Sequence, residues 1–342
     1  MLKSDFYYTL PEELIAQTPL EPRDSSRLMV LDRTKGTITH DVFSNIATYF
    51  NKGDLLVMND SKVFPARLIG KKRGSAVDVE FLLLEQCESD NTVWETMVHP
   101  GRRLKKGATV DFPDSVNPQL SAEILETINV GNRLIRFKRG DDIYTTLDKI
   151  GNMPLPHYIT EKLTDKDRYN TVYAEKTGSA AAPTAGLHFT DGVFESLAQK
   201  QIETAKITLH VGIGTFRPVK TDKIEEHKMH SERFVLPRET IDRIAQCKVR
   251  GNRVVAVGTT SCRTLEAFDT SGTTCGSTDI FITPGYRFGI TDALLTNFHL
   301  PESTLLMLVS AFVGREATLA AYKEAIDNKY RFFSFGDSML IL

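Results

Sequence analysis

Across residues 67–139 the chain carries short runs rich in β-branched and aromatic residues, AVDVEFLLLE, TVWETMV, ATVDF, LSAEILETI and NRLIRFK, with Gly, Asp or Asn between them. Nothing else constrains the fold as much. Five or so short strands with little helical signal leave open edges unless they close on themselves, so the stretch predicts a small β-barrel or sandwich. The flanking chain has a different period. Ahead of it lie a short helix at 11–17, a strand at 28–31, a turn at 34–36 and a second strand. Helical spacing of Phe43, Ile46, Ala47 and Phe50 and a strand at 54–58 follow. NDSKVFPARL, with its rigid Pro65, reads as a crossing between domains.

After a Pro-rich link, MPLPHYI, strands and helices alternate. AKITLHV is a strand, 240–249 a helix ended by Gly251, RVVAVG a buried strand, 259–268 a helix and DIFITPG a strand. LLMLVSAF reads as a buried helix capped by Ser303 and closed by Gly314, 316–328 as another helix, and 339–342 as a final strand. This alternation predicts an α/β domain. The opening strands cannot build a core alone and are expected to join it. The predicted organisation is therefore an α/β main domain with a mixed sheet and flanking helices, discontinuous over 1–62 and 150–342, with a small β-barrel domain inserted at 63–149.

Composition bounds the function. A chain of 342 residues has room for two cores, and 41% hydrophobic with 25% charged residues is a globular balance. A formal net charge of -2 excludes a generally basic nucleic-acid binder and leaves RNA contact to local patches. The clusters KKR (71–73) and RRLKK (102–106) sit at turn positions and suit phosphates if they share a face. Cys87, Cys247, Cys262 and Cys275 form no CxxC pair, so neither a disulfide frame nor a metal site is expected. Acidic residues Asp5, Glu12 and Glu13 argue against an N-terminal targeting segment, and no apolar run reaches membrane-spanning length. A cytoplasmic protein is expected.

The candidate ligand cradle is GSAAAPTAGLHFT (178–190), where Gly178, Ser179, Ala182, Pro183, Thr184, Ala185 and Gly186 leave little side chain between backbone and ligand before His188 and Phe189 arrive. Thr190 is placed to cap the next helix. Three further loops follow apolar runs, the positions where α/β sheets collect ligands. HVGIGTF offers His210, Gly212, Gly214 and Thr215, although Arg217 stands at the third glycine position of a dinucleotide fingerprint. GTTSCR offers Gly258, Thr259, Thr260 and Arg263 at a helix start, suited to an anionic or ribose group. TNFHLPEST offers Asn297, Phe298 and His299. His188, His210, His230 and His299 lie at element edges and are the candidates for moving protons, with Glu232 placed to orient His230 or to act as the base. Arg23 and Arg27, around two serines, suit an anion or a ribose. From residue types alone two other readings stay open, a metal-dependent hydrolase using these histidines and a non-catalytic RNA-binding protein.

GSAAAPTAGLHFT, HVGIGTFRPV, GTTSCRTLE, TPGYRF, LLTNFHLPESTLLMLVSAFVG and YRFFSFGDSM, with PEELIAQTPLEPRDSSRL and NDSKVFPARL upstream, closely resemble the S-adenosylmethionine:tRNA ribosyltransferase-isomerase family of queuosine biosynthesis. The likeness runs in the family's order over nearly the whole chain; Ala180 and Asn170 depart from the family's Val and Gln. It implies an α/β domain with an inserted β-barrel. It also implies transfer and rearrangement of the ribosyl moiety of S-adenosylmethionine onto 7-aminomethyl-7-deazaguanine at the tRNA wobble position. Epoxyqueuosine-tRNA forms while adenine and methionine leave. On this resemblance S-adenosylmethionine is a consumed substrate rather than a cofactor, and the tRNA anticodon arm is the partner of a monomer. His188 and His210 stand first as base or acid, His230 with Glu232 and His299 next, Arg263 as a charge anchor, and Phe189 and Phe298 against the purine.

Overall fold

The computed structural model describes the chain apart from residues 88–89, 113–119, 129–130, 139–142, 162 and 213–218. In chain order the first elements are β1 (Arg27–Asp32), β2 (Thr37–Val42), a 3₁₀ helix (Phe43–Tyr49), β3 (Leu55–Asn59) and β4 (Ser61–Val63). Next come β5 (Arg67–Lys72), β6 (Asp78–Gln86), β7 (Val93–His99), β8 (Thr109–Asp111), β9 (Ser121–Thr127), β10 (Arg133–Phe137) and α1 (Ile143–Ile150). The remainder holds β11 (Lys176–Ser179), α2 (Asp191–Gln199), β12 (Glu203–Leu209), β13 (Glu232–Val235), α3 (Arg238–Val249), β14 (Val254–Val257) and α4 (Gly258–Ser271). It closes with β15 (Cys275–Thr278), β16 (Ala293–Asn297), α5 (Thr304–Val313), α6 (Arg315–Asp327) and β17 (Ser338–Ile341). The described residues divide into two compact units, Met1–Ser61 with Pro156–Lys176 and Ala182–Leu342, and Lys62–Leu155 with Thr177–Ala181.

In the first unit nine strands form one mixed sheet in the order β15-β13-β12-β3-β14-β16-β17-β1-β2. β12, β3, β14 and β16 run parallel, and β3, β14 and β16 are buried on both faces, which explains why VVAV and LLVM are unbroken apolar runs. Leu28, Val30, Leu56, Met58, Val255, Val257, Leu295 and Leu340 cover one face and pack against Phe43, Ile46, Val193 and Leu197. The helical spacing at 43–50 is realised as 3₁₀, where three residues per turn put Phe43 and Ile46 on the same side. Thr190 caps α2 by accepting the Val193 N–H (3.3 Å), and Ser303 caps α5 by accepting that of Leu306 (3.2 Å). α4 ends at Gly272 in the left-handed region, φ 69°.

The second unit is a closed antiparallel barrel, β10-β7-β6-β5-β8-β9. Its strands alternate in burial, and Leu68, Val79, Phe81, Leu83, Trp94, Val110, Ile124 and Ile135 fill the interior with Leu147 of α1. Arg133 is buried and donates to the carbonyls of Leu104 (2.8 Å) and Gly101 (2.7 Å), fixing the turn that carries the RRLKK cluster. Arg73 donates its backbone N–H to Thr109 (2.9 Å), so KKR lies beside the start of β8, into which RRLKK leads. Lys71, Arg73, Arg102, Arg103, Lys105 and Lys106 are exposed, though Arg73 is paired with Asp111.

Several expectations are corrected. The helix at 11–17 is a single 3₁₀ turn, Glu12–Leu14, with no buried residue to anchor a longer one. DIFITPG is irregular; the strand is the preceding β15, because its partner β13 pairs with Cys275–Thr278 and stops there. β13, β16 and α1 are absent from the sequence reading. β16 is masked by its continuity with TNFHL, and α1 buries only Thr146 and Leu147, too little for a visible period.

The register of β3 against β14 is pinned at its amino end. The buried Asp54 carboxylate accepts from the N–H of Asn51 (2.9 Å) and of Arg253 (3.0 Å) and from the Arg253 guanidinium (2.6 Å). Asp54→Ala removes these bonds and that of Arg253 Nε (3.1 Å), but Arg253 is 29% exposed and can turn to water. The expected loss is therefore about 2 kcal/mol, below that of a fully buried pair. Urea unfolding of the variant against wild type measures it.

Candidate active site

The carboxyl ends of β12, β3, β14 and β16 lie along one edge of the sheet. β17 runs antiparallel to β16 and parallel to β1, so the residues just before β17 and β1 reach that edge as well. At such an edge strand-end loops hold polar groups that the ladder does not consume.

Four buried or half-buried side chains join there into one hydrogen-bonded chain. Thr184 Oγ1 donates to Asn297 Oδ1 (2.8 Å), Asn297 Nδ2 meets His188 Nε2 (3.2 Å), and His188 Nδ1 meets Ser26 Oγ (2.7 Å). An amide nitrogen only donates, and Nδ2 also faces the Asp337 carbonyl (3.5 Å), so Nε2 of His188 accepts. The imidazole proton is therefore on Nδ1 and is donated to Ser26. Burial, aided by the charges of Arg331 and Arg23, lowers the His188 pKa to about 3, so the ring is neutral near pH 7. It stacks on Phe43 at 5.0 Å. The small residues of the cradle serve this packing. A Cβ on Gly186 would fall 2.0 Å from Tyr173 Oη, whereas one on Gly258 would meet Ala185 at 3.6 Å. Ala182, Pro183 and Ala185 carry the chain into the 3₁₀ turn of Thr184–Gly186. In the barrel unit, Gly178 has φ 144° and Ser179 donates to the Ala181 carbonyl (2.7 Å).

A second group sits where β12 gives way to its following loop. Glu232 of β13 is buried and accepts the Gly212 N–H (3.0 Å); the same oxygen lies 3.3 Å from His230 Nε2, and its other oxygen binds the Arg263 guanidinium. Burial pushes the Glu232 carboxyl up, but Arg263 and His230 outweigh burial and hold it at about 2, fully ionised. Arg263 comes from the second turn of α4, whose first turn holds the buried Thr259 and the buried backbone of Gly258 (φ 88°). Its Nη2 and the hydroxyls of Thr260 and Ser261 are buried without a hydrogen-bond partner among the described residues. Those are uncommitted polar atoms of the kind a ligand satisfies. His210 follows β12 and donates its backbone N–H to Arg233 (2.9 Å).

The predicted residues thus form two groups rather than one. One centres on the end of β16 and the other on the end of β12, with β3 and β14 between them, and they meet at Gly258, where an added Cβ would stand 3.6 Å from Ala185. His299 belongs to neither. It is buried with Nε2 on Thr296 Oγ1 (2.7 Å), its carbonyl accepts from Tyr8, and its N–H donates to Tyr322 Oη (3.0 Å). Phe189 and Phe298 are wholly buried, the first among Phe43, Tyr173 and Phe194, the second among Tyr322, Tyr330 and Phe332, so their faces are spent on core packing. Gly214 and Thr215 lie outside the described residues. Among the described residues no three His, Cys, Asp or Glu side chains converge as a metal-ligand group.

Two acids went unnoticed in the sequence. Asp60, just past β3, accepts from Thr208 Oγ1 (2.6 Å), and burial raises its pKa against the lowering effect of that bond. Asp337 accepts the N–H groups of Arg27 (2.8 Å) and Arg331 (2.8 Å), tying the starts of β1 and β17 together. The available signal was position alone, a polar residue directly beside a buried strand.

Fold and site together define a class: a mixed-sheet α/β protein with an antiparallel barrel between its segments and a neutral imidazole network beside a buried Arg–Glu pair. A family model described as "Queuosine biosynthesis protein" matches residues 3–341. The S-adenosylmethionine:tRNA ribosyltransferase-isomerase of Acetivibrio thermocellus is 54% identical over 345 residues, covering 100% of both chains. That of Thermoanaerobacter sp. is 54% identical over 346 residues, with the same coverage. The crystal structure of the S-adenosylmethionine tRNA ribosyltransferase of Thermotoga maritima covers 99% of this chain and 100% of its own at 40% identity, with a TM-score of 0.57. This chain belongs to the queuosine biosynthesis protein family.

His188 and His299 both have folded pKa values of about 3, lowered in each case chiefly by burial. The unfolded chain takes up their protons near pH 6.5, so the stability they confer is complete above that value and drains away as pH falls towards 3. Unfolding free energies from urea titrations at pH 7, 6, 5 and 4 should fall steadily, by up to about 1.4 kcal/mol per pH unit for each group. His299→Gln should flatten the slope.

Proposed function

We propose that this chain is an S-adenosylmethionine:tRNA ribosyltransferase-isomerase. It moves and isomerises the ribosyl moiety of S-adenosylmethionine onto 7-aminomethyl-7-deazaguanine at the wobble position of tRNA, releasing adenine and methionine and leaving epoxyqueuosine. The observation that carries this reading is that the family likeness spans both units, so that both groups of the site lie inside it. The nucleoside is a consumed substrate, no further cofactor is needed, and the enzyme acts as a cytoplasmic monomer. Among the described residues no single helix is long and apolar enough to cross a membrane.

The chemistry asks for three things. A base must take a proton from the ribose carbon beside the sulfonium, adenine must leave with a proton, and water must stay out. His188 is neutral and has both ring nitrogens engaged, so its part is to position Ser26 and Asn297 rather than to store a proton. Glu232, pinned by Arg263, orients His230, which with His210 is left to move protons; Arg263 anchors charge. Gly212, Gly258, Thr259 and Thr260, with the cradle from Ala182 to Gly186, surround the nucleoside. The exposed lysines and arginines of the barrel turns grip the anticodon arm, whose unpaired wobble base leaves its stack at little cost.

Adenine release in the presence of S-adenosylmethionine and correctly modified tRNA tests the reading, and its complete absence overturns it. Glu232→Gln should lower kcat by at least about tenfold because the oriented His230 loses its charged partner. Lys105→Glu with Lys106→Glu should raise KM for tRNA and weaken its salt dependence, leaving KM for the nucleoside unchanged.

A further inference from the structure

Beside Ser26, at the end of the His188 hydrogen-bond chain, the first unit holds a cleft. Arg23, Ser26, Arg168, His188, Ser334 and Gly336 line it. Two guanidiniums stand at its wall. Arg23 is held by main-chain carbonyls, those of Asn170 (2.7 Å), Leu187 (3.5 Å) and Asp167 (3.3 Å), and among the described residues it makes no carboxylate ion pair. Arg168 donates to the Leu20 carbonyl (2.5 Å) and pairs with Glu21 at 3.3 Å, a carboxylate 71% exposed and therefore well screened. Carbonyls orient a guanidinium without cancelling its charge. Burial and the neighbouring Arg168 lower the Arg23 pKa against the opposing pull of Glu21, Asp165 and Asp167, the mark of a cation held without enough anion. Arg331, whose Nη1 is buried without a partner among the described residues, adds positive charge near His188.

The hydrogen-bond chain gives this cleft a direction. Every link from Thr184 through Asn297 and His188 donates towards Ser26, whose oxygen therefore accepts. A hydroxyl that accepts still has its own proton to give, and Ser26 lines the cleft. Resting on the functional reading above, we propose that the cleft of Arg23, Ser26 and Arg168 binds the α-carboxylate of the methionine moiety of S-adenosylmethionine. Charged forks and a pre-set hydroxyl donor match a planar carboxylate. The neutral imidazole behind Ser26 keeps that donor aimed.

Binding by titration calorimetry, with native nucleoside and with its decarboxylated analogue, tests the assignment. Wild type should bind the native compound at least about tenfold more tightly. Arg23→Gln should lose that margin, binding S-adenosylmethionine at least about tenfold more weakly while its affinity for the analogue and its KM for tRNA stay put. Equal wild-type affinity for the two compounds overturns the proposal without any variant. If Arg23→Gln instead raises KM for tRNA alone, the cleft takes a phosphate and the carboxylate assignment fails. Adenine release by wild type with no carboxylate discrimination sinks only the cleft; no adenine release at all removes the functional reading, and the cleft assignment with it.

Discussion

The parallel pairing of β3 with both β12 and β14 is the constraint on which everything else depends. Leu55–Asn59 lies between Glu203–Ile207 and Val254–Val257, so the chain must leave the sheet after its third strand and come back to enclose it. Because the neighbours run the same way, their carboxyl ends fall on one edge, and Asp60, His210, Gly258 and Asn297 become neighbours there despite lying far apart in sequence. The Asp54–Arg253 pair holds the opposite edge in register. Slip that register by one residue and each inward-facing side chain of β3 would turn to the other face.

Along the working edge, polar groups are treated in two ways. The His188 network is satisfied link by link, which stiffens it and leaves the imidazole uncharged. The Glu232 network is charged and incompletely satisfied, with Arg263 Nη2 and the Ser261 hydroxyl buried and unpartnered among the described residues. The edge thus joins a rigid neutral frame to a charged network that keeps polar atoms uncommitted. The aromatic residues expected to stack on a purine belong to the frame instead: Phe189 and Phe298 close the core behind it.

Much of the candidate site was legible from residue types, though not its partition. The glycines and alanines of 178–190 read as room for a ligand, and at Gly186 that room is taken by Tyr173. The sequence ranked His188 and His210 ahead of His230 and His299, yet His188 is locked in a network, His230 is paired with a carboxylate, and His299 is buried with its backbone held by Tyr8 and by Tyr322 of α6. Imidazoles at loop ends look alike in a sequence because burial and partners, which decide their protonation, come from distant segments.

By itself the sequence determined what depends on near neighbours: the change of period that separates barrel from α/β chain, the caps Thr190 and Ser303, the stop at Gly251, and the small-residue loops after buried strands. These rest on backbone sterics and local hydrogen bonds, which a few residues suffice to specify. Only the tertiary structure decided the strand order, the antiparallel β13 and β15 at one edge, and the meeting of Ser26, His188 and Asn297. Those contacts join residues distant in sequence, more than a hundred positions apart for Ser26, His188 and Asn297, and their geometry is set by packing across the whole sheet, which no local pattern encodes.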